Sequence, residues 1–266
     1  MEQCLDVQRK LNGLEDQTLE SSGNDNAPEL KMPVGFKDPT KLTKWVKVFL
    51  CLSIVISVVS IWSGYLEYRL LMDFKNEVYS SQETAIVDAQ ANDLRQGIVG
   101  LAGVVIVLTT LICFFKWVYR ANYNVRRLGA TGLKFTPGWS VGWFFIPIAN
   151  IWKPYQVMKE ISQASGNPAD WTGRKGLSIL GWWWGFWLIS GYFSQVSFRV
   201  SLRADGIDQL LSANVLTLIS DAFDIPAAII TLILVGKLFE MQIMSFRKLT
   251  QPSLESDTSI LTLHNE

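Results

Sequence analysis

Hydrophobic positions along this chain gather into long runs instead of alternating with polar ones. Crossing about 30 Å of hydrocarbon takes about twenty helical residues at 1.5 Å each. Four runs meet that length, at approximately 46–66, 97–115, 176–198 and 210–236. A fifth apolar stretch, residues 137–152 of PGWSVGWFFIPIANIWKPYQ, is interrupted by Pro137, Gly138 and Pro147. Prolines and glycines on that spacing predict a segment that lies on the interface or re-enters it, not a fifth crossing. The expected fold class is all-α: an integral membrane four-helix protein with a re-entrant or interfacial segment on its cytoplasmic side.

Charge placement supports four crossings over five, because loops facing the cytoplasm are enriched in Lys and Arg. With four crossings and a cytoplasmic N-terminus, 19 Lys and Arg fall inside and 5 outside; a fifth crossing changes this to 14 and 10. Both termini are therefore expected on the cytoplasmic side of a multi-pass protein of the inner (plasma) membrane. Residues 1–40 and 249–266 read as polar, disordered cytoplasmic tails flanking a membrane domain at 41–248. The first forty residues lack the basic start and apolar core of a secretory signal. Formal net charge is zero, so nothing recommends nucleic acid as a partner.

The stretch from Glu67 to Gln96 contains no Pro or Gly and is expected to extend the first two spans as a helical protrusion. On the inner side, the second span continues through FKWVYRANYNVRR, placing Arg120, Asn124 and Arg127 on one face, until Gly129 and Gly132 end it. Such a face is either solvated or set against lipid phosphate. Pro154 then suits the first turn of a short amphipathic helix. Its apolar stripe is Ile151, Tyr155, Met158 and Ile161, with Gln156, Lys159, Glu160 and Gln163 elsewhere, and it is expected to lie on the membrane interface.

Four ordered motifs run through this region. They are W-x-Y-R-A-x-x-N (Trp117, Tyr119, Arg120, Ala121, Asn124), P-G-W-x-V-G-W (Pro137, Gly138, Trp139, Val141, Gly142, Trp143), N-x-W-x-P-Y-Q (Asn150, Trp152, Pro154, Tyr155, Gln156) and the run Trp182 to Trp184. In this order they resemble the bacterial membrane family called domain of unknown function 4328, over about residues 45–248. The resemblance implies a multi-span membrane protein and supplies no activity and no catalytic residue.

Two acidic residues sit inside the fourth span. Fourteen Leu, Ile, Val and Phe residues between Leu210 and Val235 favour insertion by about 4 to 8 kcal/mol, while two central aspartates oppose it by about 5 to 7 kcal/mol. Asp221 and Asp224 must then face the bundle, as a cation or proton site beside a helix broken at Pro226, or as a structural hydrogen-bonded patch. Gly181 and Gly185 form a G-x-x-x-G that would permit close helix contact. Trp182, Trp183, Trp184 and Trp187 lie too deep for a simple interfacial belt. Lys41, Lys44 and Lys47 precede the first span as an anchor to anionic lipid.

Candidate chemistry is sparse. The three cysteines (Cys4, Cys51, Cys113) are far apart, the one histidine is His264, and no phosphate-loop, nucleophile-elbow or zinc-helix pattern occurs. No cofactor, metal site or catalytic group is expected. The sequence points to a noncatalytic membrane component whose inner aromatic and basic face, with Glu160 among its polar groups, meets lipid, another membrane protein or a second copy of itself. The alternative is a small ion or solute transporter or channel using Asp221 and Asp224.

Overall fold

Every regular element in the computed structural model of the protein is helical; residues 35–263 are described, with side chains from 35 to 250. The chain divides into two units, Pro33–Leu249 and a second of Met1–Met32 with Thr250–Glu266; the contacts below lie within the first. Most of the predicted tail at 1–40, and the side chains of the one at 249–266 beyond Thr250, fall outside the described residues, as do Cys4 and His264.

The helices are α1 (Thr40–Lys75), α2 (Gln82–Arg127), α3 (Pro137–Gly142), α4 (Lys153–Gly166), α5 (Ile179–Ser201) and α6 (Ile207–Leu263). Single 3-10 turns at Trp143–Phe145 and Ala149–Ile151 join α3 to α4. α1 and α2 outrun the apolar stretches that announced them. With neither Pro nor Gly to stop it, the polar stretch after Leu66 stays helical to Lys75, and α2 restarts at Gln82, where Ser81 caps its N-terminus through Glu83 N–H. At the other end of α2, Gly129 and Gly132 take φ values of 101° and 69°, open to glycine, and Ala130 N–H closes onto the Val125 carbonyl.

The long helices run antiparallel in sequence order. Lys75 pairs with Asp208 at 2.7 Å, Asn214 Nδ2 donates to the Gly64 carbonyl, and Lys47 lies beside Gly236, so α6 rises as α1 falls. α5 and α6 do the same: Ser197 bonds the Ala213 carbonyl and Thr217, while Ser190 meets Asp224 and Ser220. Three helices, α1, α2 and α6 as far as Thr250, are long and apolar enough to cross a membrane. α5, expected as a fourth, has 23 residues and is not one of these three; indoles and hydroxyls stand along it where the others carry aliphatic groups.

Packing revises two sequence expectations. The G-x-x-x-G of α5 marks no close contact within the chain: a Cβ at Gly181 or Gly185 would meet nothing within 4 Å. α5 instead turns its Trp183, Ser190 and Ser197 side inward. The close approach is at Gly64 of α1, where a Cβ would sit 2.8 Å from Leu218 Cδ2. The buried stripe of α4 keeps Met158 and Ile161 of the expected one, with Tyr155 packed against the same core. It adds Val157 and Ala164, all four fully covered by protein, and drops Ile151, which is 55% exposed. That helix docks on the bundle instead of presenting its apolar side to lipid.

The main core gathers Val46, Trp117, Val118, Met158, Ile161, Trp183, Leu234 and Leu238. It lies at the end of the bundle where α3 and α4 pack. Elsewhere the long helices keep apolar side chains outward: Leu101, Val104, Val105, Leu108 and Ile112 of α2 are each more than half exposed. A belt of that size is stable only against an apolar surrounding.

Candidate functional site

The end of the bundle that carries the family-like motifs is built by hydrogen bonds between chain segments distant in sequence. Asn124 is fully buried and uses both halves of its amide: Oδ1 accepts from Lys37 N–H at 3.2 Å and Nδ2 donates to the Lys37 carbonyl at 2.8 Å. Arg120 donates to the Asp38 carbonyl at 3.0 Å, and Lys37 and Arg127 both lie over the Tyr123 ring. Trp117 Nε1 donates to Thr43 Oγ1. The residues before α1 thus run along the face predicted from Arg120, Asn124 and Arg127, burying Asn124 while Arg127 stays exposed. Asp38 in turn accepts from the Thr40 hydroxyl and the Thr40 backbone N–H. Those two bonds, hydroxyl first, hold its carboxyl below the usual range; slight burial opposes this and the Arg120 and Lys41 charges reinforce it.

Beyond α2, Phe135 is captured from both sides. Its carbonyl accepts from Asn122 Nδ2 at 3.1 Å and Arg126 Nη2 at 2.7 Å. Its N–H, with that of Lys134, is taken by the buried carboxylate of Glu160, at 3.1 Å and 2.8 Å. Glu160, a candidate from sequence, is thus a latch between the loop and α4. Thr136 then caps α3 through Trp139 N–H, with Pro137 in the first turn.

Residues 137–152 form a returning loop. Phe144 and Phe145 pack on Phe115 of α2, centroids 5.2 Å apart in each pair, and Trp184 Nε1 donates to the Ile151 carbonyl at 2.8 Å. Lys153 Nζ lies 5.2 Å from the Trp143 ring centre and 5.6 Å from that of Phe135. A crossing would hold its ends about 30 Å apart; these ends meet. Pro147 turns the chain, and Phe145 and Ile148 at that turn are 68% and 72% exposed.

A cavity of about 650 Å³ opens between this loop and the polar face of α4, lined by Lys134, Trp139, Trp143, Lys153, Gln156 and Lys159, among others, with Glu160 at its wall and Trp171 closing one side. Of the sequence candidates, the structure brings Trp139, Trp143, Gln156 and Glu160 together here. Tyr119 is exposed on α2, beside Arg120 and Gly138 at a separate surface pocket. Asn150, Trp152, Pro154 and Tyr155 shape the entry to α4: Pro154 is buried in its first turn, Trp152 is 44% exposed, and Asn150 Oδ1 is buried without a donor.

Asp221 and Asp224 lie about one turn apart on α6, both half-buried, and Asp224 accepts from the Ser190 hydroxyl of α5. α6 runs through Pro226 without interruption, so the expected break is a missing hydrogen bond inside a continuous helix.

The sequence reading missed two groups. Lys134 and Lys153 counted only as inner charge and Lys159 as part of the polar side of α4, and folding alone assembles the three. A polar cluster at the far end was also unseen: Gln96 and Asn214 both donate to Glu67 Oε2, at 2.9 and 2.8 Å, and Arg95 bridges Ser63 and Asn92. Its members come from three helices, so no spacing could announce it.

A chain helical throughout its described residues, with three apolar helices of membrane length among them, is the class that fold and surface define. Residues 81–239 match the family model described as domain of unknown function (DUF4328), more than half of the chain, and the protein belongs to that family. The match starts at α2, so the resemblance traced from about residue 45 is supported from there on; α1 and the segment that Asn124 holds lie outside it. No curated protein and no solved structure matches the chain.

Proposed function

We propose that this is a noncatalytic integral membrane protein whose basic, aromatic end is a cytoplasmic binding platform for lipid or for a membrane protein partner. The observation that carries the reading is how the motif residues are used. Asn124, Trp117, Glu160 and Trp184 are spent on tying chain segments together, and what they hold in place is an open cavity and an exposed apolar rim of Trp139, Phe145 and Ile148. Rigid presentation of that kind serves binding.

The topology that goes with it has four crossings. α5 keeps antiparallel register with α6 from Ser197 down to Phe186, which packs on Phe223. At 23 residues it is about 34 Å long, so if α6 crosses, α5 crosses beside it. Both termini then share the side with the Lys and Arg excess, and Phe145 and Ile148 dip into the inner leaflet. The transporter alternative draws on Asp221 and Asp224, but Asp224 is already engaged by Ser190.

The test is native purification in lipid with mass spectrometry of what accompanies the protein. Trp139→Ala, at a side chain 54% exposed, should lose the companion while the fold survives. Purification with no lipid or protein bound, or a companion retained by the variant, overturns the reading. Ion flux in proteoliposomes abolished by Asp221→Asn would favour the alternative. Reporters fused after Lys159 and at the C-terminus should read the same side.

A further inference from the structure

The geometry points to the cavity between the 134–143 loop and α4 as a binding site for a phosphate-bearing anion. The proposal rests on the platform reading above and gives it a ligand class. Three lysines line this space from two segments, Lys134 from the loop and Lys153 and Lys159 from α4, and the Lys153 ammonium lies over the rings of Phe135 and Trp143 that line it with them. The Lys75–Asp208 ion pair lies elsewhere, and among the described residues no carboxylate pairs with any of these three lysines.

The nearest acid, Glu160, is already committed. Both its oxygens accept backbone N–H groups, from Lys134 and Phe135, so it fixes the loop instead of neutralising a lysine. Three cations thus face one internally satisfied carboxylate, and the cavity keeps an excess of positive charge that a polyanionic group would offset. Lys153 is held over the Trp143 and Phe135 rings, and the stem of Lys159 packs beside Gly176. Ordering of both before binding reduces the entropy that capture of an anion would cost.

Phosphate suits this donor set better than a carboxylate does. Lysines act as point charges that can each approach a different oxygen of a tetrahedral group, whereas planar recognition of carboxylate favours an arginine fork, and no arginine lines the cavity. A volume of about 650 Å³ is in the range of small-ligand sites, with room for a phosphate and the glycerol or sugar attached to it against Trp139 and Trp143. The same chemistry is offered by an anionic lipid headgroup and by a soluble phosphate.

Full-length protein in nanodiscs, with amine-reactive labelling read lysine by lysine by mass spectrometry, separates these sources. The arms are phosphatidylcholine alone, phosphatidylcholine with inorganic phosphate or glycerol 3-phosphate added, and phosphatidylcholine containing phosphatidylglycerol. Labelling at Lys134, Lys153 and Lys159 should fall in an anion arm while Lys175, exposed at the same end and outside the cavity, changes little. Protection by phosphatidylglycerol alone assigns a lipid headgroup; protection by the soluble phosphates assigns a free ligand. K153Q and K159Q should each weaken protection at the remaining lysines about fivefold, the effect of about 1 kcal/mol per lysine near an anionic surface, and K159R should keep it. Equal labelling in every arm, or protection undiminished in the K153Q/K159Q double variant, overturns the anion site. A companion that still depends on Trp139 in that case leaves the platform itself standing.

Discussion

Asn124 clamps the segment before α1 with an acceptor and a donor on one side chain, which makes its replacement unusually informative. Asn124→Leu keeps the approximate size and removes both bonds to Lys37. Each bond contributes about 1 kcal/mol net, so the loss is about 2 kcal/mol. The Arg120 bond to the Asp38 carbonyl survives, and the effect should be local. Hydrogen exchange at the Lys37 amide is the assay, because that N–H donates directly to Asn124 Oδ1 at 3.2 Å. Two kcal/mol corresponds to exchange about thirtyfold faster. Asn124→Asp retains an acceptor for the same N–H and loses only the donor to the Lys37 carbonyl, so its acceleration should be about fivefold, from about 1 kcal/mol. Leucine and aspartate fail for different reasons, and their order carries the argument. A folded Asn124→Leu protein with Lys37 exchange at the wild-type rate would refute it.

Two further outcomes follow from local geometry. A Cβ at Gly64 lies 2.8 Å from Leu218 Cδ2, the tip of a side chain that can turn aside, so the cost of overpacking is set against the gain of about 1 kcal/mol that alanine has over glycine in a helix. Gly64→Ala should therefore leave stability in thermal unfolding within about 1 kcal/mol of the wild type, and a larger loss would mean that Leu218 cannot move. The Asp38 carboxyl is depressed in the folded state by the Thr40 bonds, so its contribution is present above the unfolded value near 3.9 and disappears as pH falls through the folded value. Protection of the Thr40 amide, its exchange relative to an unstructured amide at the same pH, should therefore fall on acidification below about pH 4 in the wild type, and an Asp38→Asn protein should lack that fall.

Much of the architecture was legible because long apolar runs have few ways to satisfy their backbone other than as helices. α1, α2 and α6 were each placed by such a run, and the absence of Pro and Gly between Glu67 and Gln96 foretold the protrusion. Gly129, Gly132 and Pro154 located helix ends through backbone conformation, which is local and therefore written in sequence. The breakup of residues 137–152 into short helical pieces was also foreseen, from Pro137, Gly138 and Pro147.

The site was less legible. Arg120, Asn124 and Arg127 were placed correctly on one face, but nothing in their spacing could tell that Lys37 and Asp38, more than eighty positions earlier, would run along it. Glu160 read as a polar group of the face and is a buried latch. The G-x-x-x-G pointed to close packing that occurs instead at Gly64. Hydrophobicity, periodicity and backbone preference act over a few neighbouring residues, so the sequence by itself determined the helices, their ends and their order. Which faces meet, which carboxylate is satisfied internally and which lysines share a cavity depend on how elements with several possible faces pack against one another, and the tertiary structure decided those.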